Sequence, residues 1–361
     1  MKKLKYGLIG VGNISGKHLG GYAALRDDVE IVAACDLVPE KMEAAARSYG
    51  IPRVSREYRD LLAMPDLDFV SVCLPNHLHA PVTREALEAG KHVHCEKPMA
   101  MNANEAESMV AAMRRTGRIL MVGLNNRFTA HAAWTRRFVE QGGLGDIYFA
   151  KCGWLRRNGL PPTGWFTDRS RSGGGALIDL GVHFLDLALY FLGYPEPKAV
   201  TARTFRAFGG GPQADRHTFP GFVADPAGVF DVEDLATGFL DLAGGTALSF
   251  EISWASHIER ERVFYELYGT RAGLRYEDDM TGKPTLRVFS TLGDRMADTT
   301  VMPDPFRDRR DEFRHFVDCI RAGRESDISI PDQNIAMMRL VDTIYRSADT
   351  RRQVLCGSGD A

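Results

Sequence analysis

The chain has 361 residues, of which 44% are hydrophobic and 25% charged, and its formal net charge is −2. This composition is typical of a soluble globular protein, the length favours two domains, and the near-neutral charge argues against nucleic acid or an anionic membrane as a partner. No apolar run approaches the roughly 18–20 residues of a membrane span, and no signal-peptide core follows Met1, so we expect a cytoplasmic protein.

The first predicted strand, residues 6–9, leads into the turn GVGNIS at residues 10–15, which opens a predicted helix. This is the glycine fingerprint of dinucleotide-binding domains, with Ser15 in place of the third glycine. Gly10 permits the tight turn, and Gly12 lets the backbone approach a pyrophosphate on the helix N-terminus. The position between a strand and a helix makes the motif more specific than its two glycines alone.

Asp36 follows the second predicted strand, residues 29–35, and lies 21 residues after Ser15. A carboxylate at this place binds the adenosine ribose hydroxyls and repels the 2′-phosphate of NADP. No Arg or Ser follows it directly, so we expect NAD as the cofactor and favour NADP less. The alternative is that Asp36 only caps the helix that begins near Pro39.

Three further predicted strands, residues 68–74, 91–95 and 119–123, alternate with predicted helices and end in polar residues. With the first two strands they predict a doubly wound, parallel α/β domain over residues 1–126. Ligands of such sheets bind at the carboxyl ends of the strands. We therefore expect cofactor contacts from Gly10, Gly12, Asn13, Ile14, Asp36, Leu74, Pro75, Asn76, His79, Glu96, Lys97 and Asn125.

The sequence Glu96-Lys97-Pro98 follows the strand at residues 91–95. The proline stops strand pairing, so the carboxylate and the ammonium are left at the carboxyl end of the strand. A lysine at that edge is a candidate catalytic group. The alternative is a surface ion pair at a strand end, which would contribute little.

After residue 127 the pattern changes, and we take residues 127–361 as a second α/β domain. A loop at residues 156–174 is rich in Arg, Gly, Pro and Trp, and a strongly apolar helix is predicted at residues 176–192. Glycine-separated strands should then pair antiparallel, because no long helix intervenes. They lie at about 198–208, 229–242, 246–256, 262–269 and 285–291, with a Gly- and Pro-rich excursion at 208–228 and closing helices at about 307–322 and 331–350.

Asp179, His183 and Asp186 stand at positions i, i+4 and i+7 of the apolar helix, so they share one helix face. Acids in a helix this apolar need a reason, because burial penalises their charge. Three interpretations stay open: a histidine general base oriented by an acid, a metal site of Asp, His and Asp, or a satisfied internal polar network.

The six cysteines are scattered and form no CxxC pair. This spacing predicts a reducing compartment and no zinc site. They are Cys35, Cys73, Cys95, Cys152, Cys319 and Cys356.

These motifs together resemble the glucose–fructose oxidoreductase / inositol dehydrogenase / rhizopine-catabolism family. The residues that carry the resemblance are Gly10-x-Gly12, Asp36, Pro75-Asn76-x-x-His79, Glu96-Lys97-Pro98 and the segment from Gly173 to Asp186. The resemblance is close in the N-terminal domain and the central helix and loose elsewhere. Ser15 and the excursion at 208–228 depart from the family pattern.

The resemblance implies a Rossmann domain followed by an α/β domain with a large open, mostly antiparallel sheet, whose exposed face makes dimers or tetramers. It implies hydride transfer between NAD and a secondary alcohol of a sugar or cyclitol, without a metal. Lys97, Asp179 and His183 would match the family's active-site lysine, acid and catalytic histidine. Arg127 and Asp186 would contact substrate hydroxyls.

Further candidate pocket residues come from the loop at residues 156–172 and from the sheet of the second domain. An arginine there would read a carboxylate or phosphate, and a tryptophan would stack on a sugar ring. These candidates are Trp154, Arg156, Arg157, Trp165 and Arg169.

Two other classes of protein share the expected fold. One is the NAD-dependent glycoside hydrolases, in which NAD oxidises the sugar only transiently, and the other is cofactor-binding regulators without enzyme activity. The presence of Lys97, Asp179 and His183 argues against a regulator, because binding NAD does not require these three residues.

Overall fold

The structure, a computed structural model, describes residues 2–209, 224–225, 227–302 and 310–356. The chain divides into two compact units, Met1–Asn125 with Arg309–Met338, and Asn126–Asp308 with Arg339–Ala361. The expected domains, residues 1–126 and 127–361, stay a proposal. The compact units differ from them in one respect, because residues 309–338 pack with the first unit.

The described strands of the first unit form a parallel sheet in the order β3-β2-β1-β4-β5-β6, which confirms the predicted doubly wound sheet. They are β1 Leu4–Ile9, β2 Val29–Cys35, β3 Arg53–Ser55, β4 Phe69–Val72, β5 His92–Cys95 and β6 Leu120–Val122. Ile9 pairs with Cys35 and Val72, and Cys95 pairs with Val72 and Val122. Five strands therefore end level, and the strand order reverses between β1 and β4, where such sheets bind ligands.

The helices of this unit follow from local sequence signals. In α5, the Asn102 side chain accepts a hydrogen bond from the Glu105 amide and so caps the helix, while buried Ala106, Val110 and Met113 recur every three or four residues. The other helices are α1 Ser15–Ala23, α2 Pro39–Tyr49, α3 Tyr58–Leu62, α4 His79–Glu88 and α9 Asp311–Ala322, and α5 itself is Ala103–Thr116.

Helix α9 belongs to the first unit because of its aromatic contacts. Any side chain at Gly21 of α1 would collide with the ring of Phe313. The same ring packs edge-on against Tyr22 at 5.0 Å and against His94 at 5.6 Å. The helix predicted at 307–322 is therefore present in its described part. It packs on the first unit, although the sequence had placed it in the second domain.

The second unit contains a sheet whose described strands run in the order β14-β13-β12-β11-β7-β10-β9-β8-β15. Only β7 and β10 pair in parallel among them, which confirms the predicted large, mostly antiparallel sheet. The strands are β7 Ile147–Leu155, β8 Pro197–Phe205, β9 Leu235–Leu242, β10 Ala247–Ser253, β11 Arg262–Gly269, β12 Gly273–Asp278, β13 Thr285–Leu292, β14 Arg295–Thr300 and β15 Val354–Leu355.

The strand prediction at 229–242 was wrong in its first part, because β9 begins only at Leu235. In the stretch before it, the side chains of Asp231, Glu233 and Asp234 accept hydrogen bonds from backbone amides of other segments. Most of the excursion at 208–228, namely 210–223 and 226, lies outside the described residues.

The predicted apolar helix at 176–192 begins as a π-helical turn, Leu177–Gly181, and continues as α8, Val182–Leu192. We call these two segments together the central helix. π-helical turns inside helices occur frequently at functional sites. Its neighbours in the chain are α6 Ala130–Glu140 and α7 Arg169–Ser172, and the chain's last helix is α10 Pro331–Thr350.

The helical stretch Arg169–Leu192 is long and apolar enough to cross a membrane by length and composition, contrary to the expectation from the sequence. However, 89% of its apolar window is buried inside the protein. Such burial is typical of the core helix of a soluble protein, so the length and composition of this helix are only weak evidence for a membrane span.

Candidate cofactor and catalytic residues

The turn after β1 has the backbone geometry that the glycine motif predicts. Gly10 has φ +95°, and a Cβ on it would collide with the carbonyl oxygen of Cys73, so only glycine fits. Gly12 is exposed, and a Cβ on it would meet nothing within 4 Å. The backbone at Gly12 is therefore open to the close approach of a phosphate.

The N-terminus of α1 carries no side-chain cap in the described part of the chain. Ile14, at the N-cap, makes no side-chain hydrogen bond to the first turn. The Ser15 hydroxyl turns back and donates to the Gly12 carbonyl at 2.6 Å. The Ser15 and Lys17 amides donate to the Gly12 and Ile14 carbonyls at 3.1 and 3.0 Å. A pyrophosphate here would therefore be bound by other backbone amides of this turn.

Asp36 lies at the end of β2, where an adenosine ribose is expected. Its Oδ2 accepts a hydrogen bond of 2.7 Å from the Val11 amide, and its Oδ1 accepts one of 2.9 Å from the Val38 amide. A carboxylate has about four acceptor positions, so two remain for ribose hydroxyls. Val38 is the N-cap residue of α2, so the bond from its amide also lets Asp36 support the start of that helix, and both interpretations of Asp36 stay open.

Two further residues fit a bound dinucleotide. Leu37, next to Asp36, is 70% exposed, as an apolar side chain that covers an adenine would be. The Asn125 Oδ1 atom is buried and has no hydrogen-bond partner among the described residues, so it is an acceptor suited to a ligand donor. Together with the Gly12 turn and the uncapped N-terminus of α1, these residues fit NAD.

His79 binds the main chain of the loop after β4. The His79 ring nitrogens lie 2.7 Å from the Pro98 carbonyl oxygen and 2.8 Å from that of Leu74. The side chain is buried and ties the ends of β4 and β5 together. This geometry does not support the predicted cofactor contact of His79, whereas Leu74 and Pro75 beside it are half-buried. Asn76 is buried.

Glu96 is buried beneath the strand ends and is bound to α1. Its Oε1 lies 2.9 Å from His18 Nε2, and its Oε2 accepts a hydrogen bond of 3.0 Å from the Lys97 amide. Burial alone would raise the pKa of Glu96, but the His18 hydrogen bond and the charges of His18 and Lys97 outweigh it and lower the pKa to about 2. The ionised carboxylate therefore fixes the backbone at Lys97, which is itself half-buried.

A second buried histidine repeats this arrangement. His94 Nδ1 lies 2.8 Å from the Tyr22 hydroxyl, and its Nε2 lies 3.0 Å from Glu312 Oε1. Burial and the charge of His18 lower the pKa of His94 well below its usual value. The neutral ring then donates to Glu312 and accepts from Tyr22. Sequence reasoning missed this pair, because 218 residues separate its members.

In the second unit, Asp179 and His183 are 9% and 8% exposed. Asp179 Oδ2 accepts a hydrogen bond of 2.8 Å from the indole N–H of Trp254. The His183 ring centre lies 5.9 Å from that of Trp154. The apolar segment thus buries an acid with a specific donor beside a histidine. No sequence signal pointed to Trp254.

Asp186, unlike Asp179, is paired with an arginine, Arg127. Arg127 Nη2 and Nε donate to its two oxygens at 2.6 and 2.8 Å, and the Tyr194 hydroxyl donates at 2.5 Å. Burial opposes the charge of Arg127, but the Asp186 carboxylate and neighbouring tyrosines outweigh it and raise the pKa of Arg127. Both side chains are buried, so this geometry does not support their predicted contact with substrate hydroxyls.

The metal interpretation gains nothing from these contacts. Asp186 is taken up by Arg127, and within the described ranges no group of three or more His, Cys, Asp or Glu side chains is placed to hold a metal ion. Each of the six cysteines is a free thiol. The acid–histidine pair, Asp179 and His183, is left as the candidate centre of this unit.

Trp154 forms a polar group with Glu261 and Arg156 close to His183. Its indole N–H donates to Glu261 Oε1 at 2.8 Å, and the Arg156 guanidinium stacks 5.0 Å from its ring. Arg156 Nε also lies 3.6 Å from Glu261. The charge of Arg156 is thereby balanced by Glu261, a residue that sequence reasoning missed.

The other candidate pocket residues are also engaged. Trp165 packs against Phe166 at 4.4 Å. Arg157 donates to the Glu259 carbonyl, and Arg169 stacks on Tyr345 and lies 3.8 Å from Asp349. These contacts give none of the arginines a clear role in binding a carboxylate or phosphate.

The fold and the site residues define an NAD-binding oxidoreductase class, and comparison with known proteins identifies the family. The oxidoreductase family with NAD-binding Rossmann fold matches residues 4–124, and the GFO/IDH/MocA C-terminal domain matches residues 133–275. The chain is 34% identical over 358 residues to D-glucoside 3-dehydrogenase of Escherichia coli (strain K12), with 97% of each chain covered. It belongs to the GFO/IDH/MocA oxidoreductase family, and the resemblance drawn from the motifs is confirmed.

Two other relatives extend the comparison. Inositol 2-dehydrogenase of Rhizobium meliloti (strain 1021) is 31% identical over 199 residues, which cover 55% of this chain and 58% of that protein. The solved structure of levoglucosan dehydrogenase in complex with NADH is 26% identical, with a TM-score of 0.87 and 99% and 100% of the two chains covered. The family matched over residues 4–124 has an NAD-binding Rossmann fold, so the first unit is an NAD-binding domain.

Proposed function

We propose that the protein oxidises a secondary alcohol of a sugar or cyclitol, or reduces the corresponding ketone, with NAD as the redox partner. One observation carries the proposal. Asp179 and His183 are both buried in the central helix, and the Trp254 indole donates a hydrogen bond to Asp179. The names of the relatives, which are dehydrogenases of glucosides, inositol and levoglucosan, support this substrate class.

His183 is the general base in this proposal. An alcohol carbon gives up hydride readily only as its hydroxyl proton leaves, and a neutral imidazole accepts that proton near neutral pH. NAD supplies the hydride acceptor. In the reverse direction the imidazolium returns the proton to the carbonyl oxygen.

Asp179 orients the His183 ring and stabilises the imidazolium that forms. Its Trp254 bond occupies one acceptor position of the carboxylate and keeps it in place. A buried acid of this kind makes the histidine more basic without itself taking the proton.

Lys97 donates a hydrogen bond to the reacting oxygen and stabilises the negative charge that develops there. The ionised Glu96 supports this role by holding the Lys97 amide, so we assign Glu96 to positioning and not to chemistry. Among the cofactor contacts, Asp36 binds the ribose hydroxyls and Leu37 covers the adenine.

The protein is proposed to be a cytoplasmic homodimer or homotetramer that assembles through the open face of the second sheet. Along β7, the residues of that face alternate with the buried Ala150 and Cys152 of the opposite face. It presents Phe149 stacked on Tyr268 at 5.5 Å, and Phe239, which is 43% exposed. Exposed aromatic side chains on one sheet face are typical of subunit interfaces.

The test is NADH formation by the purified protein with NAD and a panel of inositols, aldoses, glycosides, sugar acids and amino sugars, with NADP in parallel. We expect NADH from at least one neutral sugar or cyclitol and a much weaker signal with NADP. Silence across the panel while NAD still binds would contradict the proposal. Cleavage of a glycoside in that case would favour the hydrolase class, and no reaction at all would favour the regulator class.

A further inference from the structure

Successive backbone amides at the start of the central helix all point to Glu233. The Gly175 amide donates to Glu233 Oε2 at 3.0 Å, the Leu177 amide to Oε1 at 2.9 Å, and the Ala176 amide to the main-chain carbonyl at 3.1 Å. The Tyr345 hydroxyl also donates to Oε1, at 3.0 Å. Glu233 is 7% exposed, so four hydrogen bonds converge on one buried residue.

Glu233 caps the N-terminus of the central helix, although it lies in a distant part of the chain. The first N–H groups of a helix have no partner inside the helix, and a local side chain usually satisfies them. Here Ala176 stands at the N-cap and offers no side-chain hydrogen bond, while Glu233 lies 56 residues after Leu177. A carboxylate at this helix end also has a favourable interaction with the helix dipole.

The glycines before the helix are required by the same contacts. A Cβ on Gly174 would collide with the Tyr345 hydroxyl, and a Cβ on Gly175 would collide with the Glu233 carbonyl oxygen. The glycines let the helix start lie directly against Glu233 and Tyr345. This is a physical reason for two of the three glycines in the motif.

The contacts continue from Glu233 to the candidate acid. The Gly175 carbonyl accepts the Asp179 amide at 3.1 Å, and Asp179 Oδ2 accepts the Trp254 indole N–H. The Trp254 amide in turn donates to the carbonyl of Asp234 at 2.9 Å, and Asp234 is the neighbour of Glu233. A closed ring of hydrogen bonds thus holds Asp179 through both its backbone and its carboxylate.

We propose that Glu233 is a positioning residue that sets the place of Asp179 for catalysis by anchoring the first turn of the central helix. This role rests on the proposed function of Asp179 and His183. It also explains why the acidic segment before β9 is irregular, although a strand was predicted there. Its side chains bind backbone amides at the start of the central helix and in the loops beside it.

The test is fluorine NMR of the full-length protein with 5-fluorotryptophan incorporated at its four tryptophan positions. Trp254→Phe assigns the signal of Trp254. In Glu233→Gln one carboxylate oxygen becomes an NH₂ group that faces an amide donor, so the anchor is broken with little change in volume. We expect the Trp254 signal to shift, kcat to fall by about tenfold or more, and KM for NAD to stay within about twofold.

Asp231→Asn is the matched control. Asp231 lies in the same segment, but its carboxylate accepts the Arg169 amide at 2.7 Å and contacts no part of the central helix among the described hydrogen bonds. It should leave both the Trp254 signal and kcat close to those of the unaltered protein. Tyr345→Phe, which removes one of the four donors, gives a smaller change in the same direction and serves if Glu233→Gln does not fold.

Two results would overturn the positioning role. One is an unmoved Trp254 signal in Glu233→Gln, and the other is a shifted signal with kcat unaltered. The NMR measurement needs no substrate, so it stays informative even if the proposed dehydrogenase activity is not found. Absence of that activity in the unaltered protein would count against the proposed function alone.

Discussion

The carboxylate of Asp179 accepts a 2.8 Å hydrogen bond from the indole N–H of Trp254, 75 residues further along the chain. Both residues are buried in the second unit. A buried acid needs such a donor, because an unpaired carboxylate in this environment would lose its charge or destabilise the fold. The indole thus satisfies one acceptor position of Asp179 and holds the carboxylate in one orientation.

Trp254→Phe should weaken catalysis more than cofactor binding. A hydrogen bond to a charged group contributes about 1.5–3 kcal/mol, which corresponds to a fall in kcat of roughly 10- to 100-fold. NAD affinity should stay unchanged in titrations followed by fluorescence or calorimetry. Trp134→Phe is the control, because Trp134 stacks on Phe138 in α6. An unaltered kcat in Trp254→Phe would show that the indole does not support catalysis.

Asp36→Asn should reduce the preference for NAD over NADP. The amide keeps the size of the side chain but loses the charge that, in the proposed role of Asp36, repels a 2′-phosphate and binds the ribose hydroxyls. At about 1.5–3 kcal/mol for such charged hydrogen bonds, we expect kcat/KM for NAD to fall by roughly 10- to 100-fold. The exposed Asp27, changed to Asn, is the control. A variant that keeps the full preference for NAD would contradict the assignment of Asp36.

Glu96 should make the first unit sensitive to acid. Its pKa is lowered from 4.5 to about 2, so its contribution to stability is present above pH 4.5 and is lost as the pH falls from about 4.5 to about 2. At about 1.4 kcal/mol per pKa unit, that contribution is roughly 3 kcal/mol.

The measurement is the free energy of unfolding in urea between pH 7 and pH 3 for the unaltered protein and Glu96→Gln. The difference between the two should shrink as the pH falls below 4.5. His94 adds to the acid sensitivity, because its lowered pKa means that only the unfolded chain takes up a proton below about pH 6.5. A difference that does not vary with pH would contradict the assignment, and the exposed Glu43→Gln is the control.

Arg127 and Asp186 should behave as a structural pair. Arg127→Met leaves Asp186 buried without its partner and should lower the free energy of unfolding by about 3–5 kcal/mol. The double variant Arg127→Met/Asp186→Leu should recover most of that stability, and its KM for the substrate should match that of the unaltered protein. A double variant that is stable but has a greatly raised KM would restore the earlier expectation that the pair contacts substrate.

Features with a local signature could be predicted from the sequence. The parallel sheet follows from repeated strand and helix patterns, and the nucleotide turn follows from the spacing of Gly10, Gly12 and Asp36. The central helix follows from its apolar run. The short strands β3 and β14 were missed, because most of their residues are exposed and they show no buried alternation.

Contacts between distant segments could not be predicted. Trp254 with Asp179, Glu233 with Gly175, and Glu312 with His94 each join residues far apart in the chain, and no spacing rule marks them. The resemblance implied Arg127 and Asp186 as substrate contacts. In the structure each balances the other's charge in the interior, and a contact of either with substrate stays a prediction.

The most direct measurement is turnover and NAD affinity of His183→Ala and Lys97→Ala beside the unaltered protein, with the exposed Lys198→Ala as control. Removal of a general base or of an oxyanion donor typically costs about 10²- to 10⁴-fold in rate. We predict losses of kcat in that range for both variants, with Kd for NAD within about threefold. Equal losses of turnover and NAD affinity, or turnover that survives in His183→Ala, would contradict the assignment of these residues to the chemical step.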